Sequence, residues 1–437
     1  MKQKNISTNL LQHGNNDEKP LHTFKEICDW IEQRRKNLKV NITQISLEEC
    51  SPWYYDSSQG CIKNPEENFF QIYGLQQINK NEIKFEQPII LQQEIGFLGI
   101  IACKINGILH FLMQAKIEPG NLEHVQIAPT LQATKSNFMQ KHGGKRPMYL
   151  DYFINAESKN VIVDQLQSEH SSKFFKKRNR NIIISVEKMI PETETHKWMT
   201  LNQIKQLMRI NNLINMDTRT VISCIPCKND NINSQNFVDI YHHVNNYKMF
   251  NENKTKLVSL SNLKYWQMKN NELVCQKESP LKVIFCDVEI EKREVSKWKQ
   301  PMLSVSKSGL YGLFCCKDDG IVKFLVKICP EPGCFDSVEI GPTIQEEHSF
   351  EKSPNRIDEI FYQKLKNKDN IVSDCILSEE GGRFYHYQNR YVIICVDKEE
   401  IGNVPKNFVW SDYCTLNILT KINNCLNIQL RNLLSLL

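Results

Sequence analysis

Two stretches set a carboxylate beside a Pro-Gly turn at a strand end, Glu118 in Glu118-Pro119-Gly120 and Glu331 in Glu331-Pro332-Gly333. A glutamate there is placed to move a proton, or simply to accept turn N–H groups. The richest polar block, Ser378 to His386, reads SEEGGRFYH. Its two glycines let backbone approach a ligand, and Arg383, Tyr385 and His386 follow for binding and proton transfer. Glu169, Glu379, His110 and Tyr149 complete the acid–base candidates. The loop Gln132 to Asn137, QATKSN, offers amides and hydroxyls suited to a base or a sugar, or to an ordinary polar loop. Arginine has forked donors for phosphate oxygens. That makes Arg180, in the run Lys176 to Arg180, and Arg219 and Arg431 phosphate candidates. A solvated face or a nuclear localisation patch remains open for the run, and helix capping for the other two. Trp53 and Trp298 could stack on a base, although tryptophan is more often core. Cys224 and Cys227 have metal or redox spacing but no second CxxC, so an accident of a linker takes precedence. No GxGxxG follows a strand, and no GxxxxGK[ST], GxSxG or HExxH occurs.

These residues sit in a chain that repeats itself. Gly107–Gln132 and Gly320–Gln345 are identical at twelve of twenty-six positions, at an offset of 213. Asp164–Glu187 and Asp374–Asp397 share nine of twenty-four. A period this long makes each unit a whole domain rather than a solenoid repeat. Within the repeat, Asn179-Arg180 meets Asn389-Arg390, while the lysines have no counterpart and are expected at the surface. Each unit predicts a β-hairpin, Phe97–Ile105 with Ile108–Ile117 and Leu310–Lys317 with Ile321–Ile328. Asn106-Gly107 and Asp319-Gly320 are the preferred residues of a type I′ turn. Short strands follow at Val125–Ile127 and Val338–Ile340, and later ones at Ile182–Val186 and Val392–Val396. Helical spacing predicts a closing helix through Leu201–Leu213 and Leu416–Leu426, and a leading helix over Phe24–Lys36 with Ile27, Trp30 and Ile31 inside. The fold class is α+β, duplicated. The divisions expected are a disordered 1–20, a first domain 21–227, a linker 228–255 and a second domain 256–437.

The 437 residues suit two domains. A net charge of +5 is too mild to suggest nucleic acid as a partner. No apolar run reaches the roughly 20 residues of a membrane span, and residues 1–20 show no export signal. Sixteen cysteines scattered through such a chain are expected as reduced thiols in a cytoplasm.

The segments HFLMQAKIEPGN, VQIAPTLQATKSN, LQSEHSSKFFKKRNRN, INMDTRTVISC, LSEEGGRFYH and IQLRNLLSLL together resemble the NDP-hexose 2,3-dehydratases, from about Trp30 to the C-terminus. The resemblance implies two tandem Nudix-like α/β domains from internal duplication, in a homodimer. The Nudix signature GX5EX7REUXEEXGU, which would hold divalent metal, is absent from both units. The implied substrate is a dTDP-4-keto-6-deoxyhexose, usually the glucose form, and the implied reaction removes water across C2–C3. The C4 ketone acidifies the C3 proton, and the C2 hydroxyl leaves once protonated, so a base, an acid and enolate donors suffice. No cofactor and no metal are implied, and an NADPH-dependent 3-ketoreductase would take the labile diketo product. Carried onto this chain, the resemblance points to Trp53, Thr134, Lys135, Ser136 and Asn137 for a first nucleotide pocket. For a second it points to Trp298, Arg383, Asn389, Arg390 and Arg431. Tyr385, His386 or Glu331 is expected to transfer protons ahead of Glu118 and His110, with Tyr385→Phe expected to abolish turnover. A nucleotide-sugar-binding scaffold and a metal-dependent NDP-sugar hydrolase are the alternatives.

Overall fold

Both expected turns form, with φ of 51° and 87° at Asn106-Gly107 and 49° and 81° at Asp319-Gly320. Positive φ at both central residues matches the right-handed twist of the flanking strands. The hairpins they join are Phe97–Ile105 with Ile108–Ile117, and Leu310–Asp318 with Ile321–Cys329. This computed structural model describes residues 19–66, 69–139, 146–227, 234–277, 279–291, 295–347 and 355–437. Most of the expected disordered stretch 1–20 lies outside the described residues.

Each hairpin is the centre of a seven-stranded mixed sheet. In the first unit Arg178–Val186 runs parallel to Phe97–Ile105, and Val161–Ser168 lies antiparallel outside it. In the second, Gln388–Cys395 runs parallel to Leu310–Asp318, with Ile371–Ser378 outside. The outer face of each sheet packs under a helix, Leu150–Ile154 or Arg356–Asn367. The inner faces share one core that joins Met113, Ile127 and Leu213 to Leu313, Ile340 and Leu433.

The expected closing helix of each unit ends early, and a further helix begins beyond the expected range. Leu201–Leu207 is followed by Met216–Ser223, and Tyr413–Leu419 by Ile428–Ser435. The break has a local cause. Asn215 and Asn427 cap the second helix of each pair, accepting from Thr218 N and Leu430 N, and an N-cap residue is extended rather than helical. The two capped helices pack on each other between the units and are buried at every residue.

The Asn-rich stretch expected as a linker holds a 17-residue helix, Ser234–Phe250. Ile240 and Val244 bury one narrow stripe of it against the second sheet. At the repeat offset this is the counterpart of the leading helix Phe24–Lys36, which forms with Ile27, Trp30 and Ile31 inside as expected.

Two smaller sheets exchange strands across the repeat. Val40–Ile45 pairs with Leu281–Ile290 of the second unit, and Lys254–Val258 pairs with Gln71–Asn79 of the first. Loops cross as well. Gly120 N donates to Gly381 O (2.7 Å) and His386 N to Gly120 O (2.8 Å). In the reciprocal contact Gly333 N donates to Ser171 O (2.8 Å) and Lys176 N to Gly333 O (2.8 Å). Gly120 has to be glycine, because a Cβ there would stand 1.7 Å from Phe384 O. Gly120→Ala is therefore expected to unseat the loop Glu380–Phe384. Thermal unfolding should show a drop of about 2 kcal/mol or more, together with lost turnover. An unchanged melting temperature would show that the interlock is not needed.

Candidate active site

The interlock closes a cavity of about 1130 Å³ on the first unit. Its floor is buried and charged. Glu118, at the end of Ile108–Ile117, accepts at Oε1 from Gln132 Nε2 (2.9 Å). Its Oε2 accepts from Asn121 Nδ2 (3.2 Å) and from Gly381 N (3.0 Å) of the crossing loop. Glu169 accepts from Asn179 Nδ2 (2.6 Å), and Asn179 Oδ1 in turn accepts from Gly96 N (3.0 Å). Asp217 reaches the cavity from the first turn of Met216–Ser223. Glu380 and Arg383 enter from the second unit's loop, and Arg383 stacks 4.3 Å from the Phe70 centroid. Lys177 donates to Glu94 O, and Lys116 lines the same wall.

Burial and mutual repulsion set the protons of this floor. Burial and then the neighbouring Glu118 push the Glu380 carboxyl up to about 7, against the pull of Arg383. Burial holds Asp217 well above the ordinary carboxylate range, with Glu169, Glu380 and Glu118 adding repulsion. Burial also raises Glu169, opposed by Lys177. It lowers Lys177, opposed by Glu169. One carboxyl titrating near neutrality beside one that stays protonated is the equipment of acid–base catalysis.

The rest of the lining is aromatic and basic, with Phe69, Arg146 and Lys297 exposed and Trp53 and Phe70 buried. Trp298 and Lys299 belong to it as well. Trp53 is fixed by Nε1 donating to Lys299 O (2.8 Å) and by Phe70 at 4.7 Å between centroids. Thr134, Ser136 and Asn137 border the same space, with Thr134 capping a four-residue helix and Ser136 Oγ donating to Glu94.

The structure thus brings together Trp53, Thr134, Ser136, Asn137, Trp298, Arg383, Glu118 and Glu169 from the residues singled out in the sequence. Trp298 and Arg383, expected in a second pocket, line the same cavity as the residues expected in the first. Lys135, the remaining member of QATKSN, is not part of its lining. Other candidates lie elsewhere. Tyr385 packs against the buried cluster that includes Ile284, Cys286 and Met302, outside the cavity lining, and stacks 4.0 Å from His386. His386 is exposed at a left-handed turn with φ 50°. Glu331 is buried in the second unit beside Gln345 and Asn427. Arg180 and Arg390 make cross-strand ion pairs with Asp164 and Asp374 at 2.6 and 2.7 Å. Asn389 repeats the role of Asn179, holding Gly309 N (2.8 Å) and Glu379 (2.6 Å). Arg219 and Arg431 are wholly buried and donate to backbone carbonyls across the two units. His110 accepts from Leu21 N (3.1 Å), and Tyr149 packs edge-on against His196. Cys227 lies 3.0 Å from Cys414 rather than pairing with Cys224, which donates to Thr220 O. All sixteen cysteines are free thiols.

Sequence reasoning missed Lys177, Asp217 and Glu380. Lys177 was expected at the surface, yet the left-handed turn at Lys176 swings the next side chain inward. Asp217 had a signal. It stands in MDTR, whereas its repeat counterpart in IQLR is Gln429.

The second unit carries an internal ion pair at the equivalent position. Glu347 replaces Thr134 there and accepts from Lys173 Nζ (3.2 Å), Tyr311 Oη (2.8 Å) and Gln429 Nε2 (2.7 Å). His170 lies 3.4 Å away. Burial would raise the Glu347 carboxyl, but His170, Lys173 and these donors outweigh it and hold it down at about 2. The first unit is open where the second carries an internal ion pair.

A profile of known families now bears on this cavity. The profile described as NDP-hexose 2,3-dehydratase matches residues 24–225 and 238–437, one match per unit. The chain belongs to the NDP-hexose 2,3-dehydratase family. Similar proteins agree. The chain is 34% identical to the dTDP-4-dehydro-6-deoxy-α-D-glucopyranose 2,3-dehydratase of Saccharopolyspora spinosa, covering 93% of this chain and 89% of that protein. It is 32% identical to the enzyme of the same name from Amycolatopsis orientalis, over 94% and 89%. The enzyme of that name from Streptomyces violaceoruber is also 32% identical, over 93% and 95%. The 2,3-dehydratase function that the sequence segments implied is thereby established at the level of the family. Among the described residues, no helix is long and apolar enough to cross a membrane.

Proposed function

We propose that this 2,3-dehydratase acts on a dTDP-4-keto-6-deoxyhexose, of the glucose form, in the open cavity of the first unit. The observation that carries this reading is one lining that joins the buried acids Glu118, Glu169 and Asp217 to aromatic rings and to the exposed basic residues Arg146 and Lys297. Trp53 and Trp298 take the thymine, Arg146, Lys297 and Lys299 meet the diphosphate, and the hexose ring reaches the floor. Glu380 is the base for the C3 proton, because a carboxyl titrating near 7 is ionised about half the time at neutral pH. The C3 electron pair delocalises onto the C4 ketone oxygen as an enolate, which Lys177 and Arg383 stabilise. The C3–H bond breaks, the C2–O bond breaks, and Asp217 hands its proton to the leaving hydroxyl so that water departs. The enol tautomerises to a 3,4-diketo-2,6-dideoxyhexose nucleotide.

The same proposal includes a homodimer in the cytoplasm and an NADPH-dependent 3-ketoreductase that consumes the diketone. Mixing the chain with dTDP-4-keto-6-deoxyglucose, the reductase and NADPH should give NADPH consumption that depends on the chain. No consumption would leave a nucleotide-sugar-binding protein instead. In the same assay Tyr385→Phe should turn over within about two-fold of wild type, since its phenol lies outside the cavity lining. Abolished turnover in a folded Tyr385→Phe chain would return the reaction to that residue.

A further inference from the structure

The second unit's copy of the glutamate turn is built from metal-ligating atoms where the first is built from amides. In the first unit Glu118 is held by Asn121 and Gln132, while Gln126 Nε2 donates to Ser378 Oγ (2.7 Å) and Asn212 O (2.8 Å). At the repeat offset of 213, Glu118, Asn121 and Gln126 become Glu331, Cys334 and Glu339. One neutral side chain has become a thiol and another a carboxyl.

The hydrogen bonds record the change. Glu331 Oε1 still accepts from Gln345 and from Asn427 Nδ2 (3.3 Å). Its Oε2 has lost the donor that Asn121 supplies in the first unit, and is buried with no hydrogen-bond partner. Glu339 Oε2 accepts from Ser168 Oγ (2.9 Å), but its Oε1 is buried and unpartnered too. Glu331, Cys334 and Glu339 are only 5%, 5% and 3% exposed. One oxygen from each carboxyl and the Cys334 sulfur lie within 4.8 Å of one another. Two carboxyls and a thiol buried this closely must either keep their protons or share a cation.

We propose that Glu331, Cys334 and Glu339 bind a zinc ion. A thiolate with two carboxylates suits zinc, whereas magnesium and calcium take oxygen ligands alone. Zinc–sulfur bonds of about 2.3 Å and zinc–oxygen bonds of about 2.1 Å are reached by small side-chain rotations from this spacing. Binding releases the Cys334 proton and any proton on the two carboxyls to solvent. Three side-chain ligands leave the fourth tetrahedral position to a water molecule, and the site is placed to brace the fold. It ties the Glu331–Gly333 turn, which clasps Ser171 and Lys176 of the first unit, to the strand Glu339–Gly341. It is separate from the open cavity, whose lining contains none of the three residues.

The test is metal content of the full-length chain after dialysis against zinc, followed by cobalt substitution and absorption spectroscopy. The wild-type chain should hold about one zinc per chain at this site, and its cobalt form should show a sulfur-to-cobalt charge-transfer band. Cys334→Ala and Glu339→Gln should each weaken zinc retention against a chelator by at least about ten-fold. The double variant Cys334→Asn/Glu339→Gln recreates the first unit's amide set. It should fold, keep turnover and lose both the zinc and the band. A folded double variant that keeps the wild-type zinc content and band would overturn the proposal. So would a wild-type chain that carries no more zinc than that variant.

Discussion

Glu380→Gln should lower kcat by about 10³-fold while dTDP affinity stays within about two-fold, because the amide keeps the shape and loses only the proton acceptor. The NADPH-coupled assay reads the first quantity and titration calorimetry the second. Two further readouts separate a catalytic role from a structural one. With Glu380 as base, kcat/KM of the wild-type enzyme should fall as pH drops below about 7, where the carboxyl is pushed by burial and by Glu118. Stability should move the other way. The folded carboxyl holds its proton more tightly than the unfolded one, so between the ordinary value of 4.5 and about 7 the folded state binds the extra proton. Stability therefore declines as pH rises through that window, and the ionised group is a net cost above it. Glu380→Gln removes the cost, so the variant should melt higher than wild type at pH 8 and about equally at pH 4. A variant that keeps its turnover, or loses turnover together with stability at pH 8, would take Glu380 out of the chemistry.

The largest stability effect is expected at the two buried arginines. Arg219 donates to Ile214 O (2.7 Å) and Ser378 O (2.7 Å). Arg431 donates to Leu426 O (3.2 Å), Ser168 O and Thr220 Oγ1. Each guanidinium bonds its own helix entry and reaches a strand end of the other unit. Arg219→Ala or Arg431→Ala removes these donors, strands carbonyls in the core and leaves a cavity. A loss of about 4 kcal/mol is expected for either, a large share of the total stability. Denaturant unfolding measures it directly. Lysine should rescue only in part, since one ammonium cannot span two carbonyls as a planar fork does. If these arginines bind phosphate instead, the alanine variants should unfold normally and lose dTDP affinity.

The sequence made local structure legible and left the crossings hidden. Asn106-Gly107 and Asp319-Gly320 announce their turns because positive φ is a property of two residues and needs no partner. The leading helix Phe24–Lys36 is legible for the same reason, with its Thr23/Glu26 capping box and its stripe of Ile27, Trp30 and Ile31. Its copy at Ser234–Phe250 hides behind asparagines that dilute the apolar period, although the repeat offset marks it. The exchange of Val40–Ile45 and Lys254–Val258 leaves no trace in composition, because a strand's own pattern does not say which sheet it joins.

The candidate site follows the same division. The Gly381-Gly382 block stands out in the sequence as a place where backbone could approach a ligand, and Gly382 borders the open cavity. It belongs by sequence to the second unit and by position to the first. That crossing is why Arg383 shares a cavity with Thr134, while Tyr385 and His386, two and three residues further on, lie outside its lining. The replacement of Thr134 by Glu347 and of Asp217 by Gln429 stood in the repeat alignment from the start. Its meaning, a cavity lining in one unit and an internal ion pair in the other, needed Lys173 and His170 placed beside Glu347.

The most direct measurement is a crystal structure of the chain with dTDP bound. The thymine should lie against Trp53 and Trp298, and the diphosphate should point its sugar end toward Glu380, Asp217 and Glu118 in the first unit. Nucleotide found only beside Glu347 and Lys173 in the second unit, or in neither unit, would contradict this placement of the reaction.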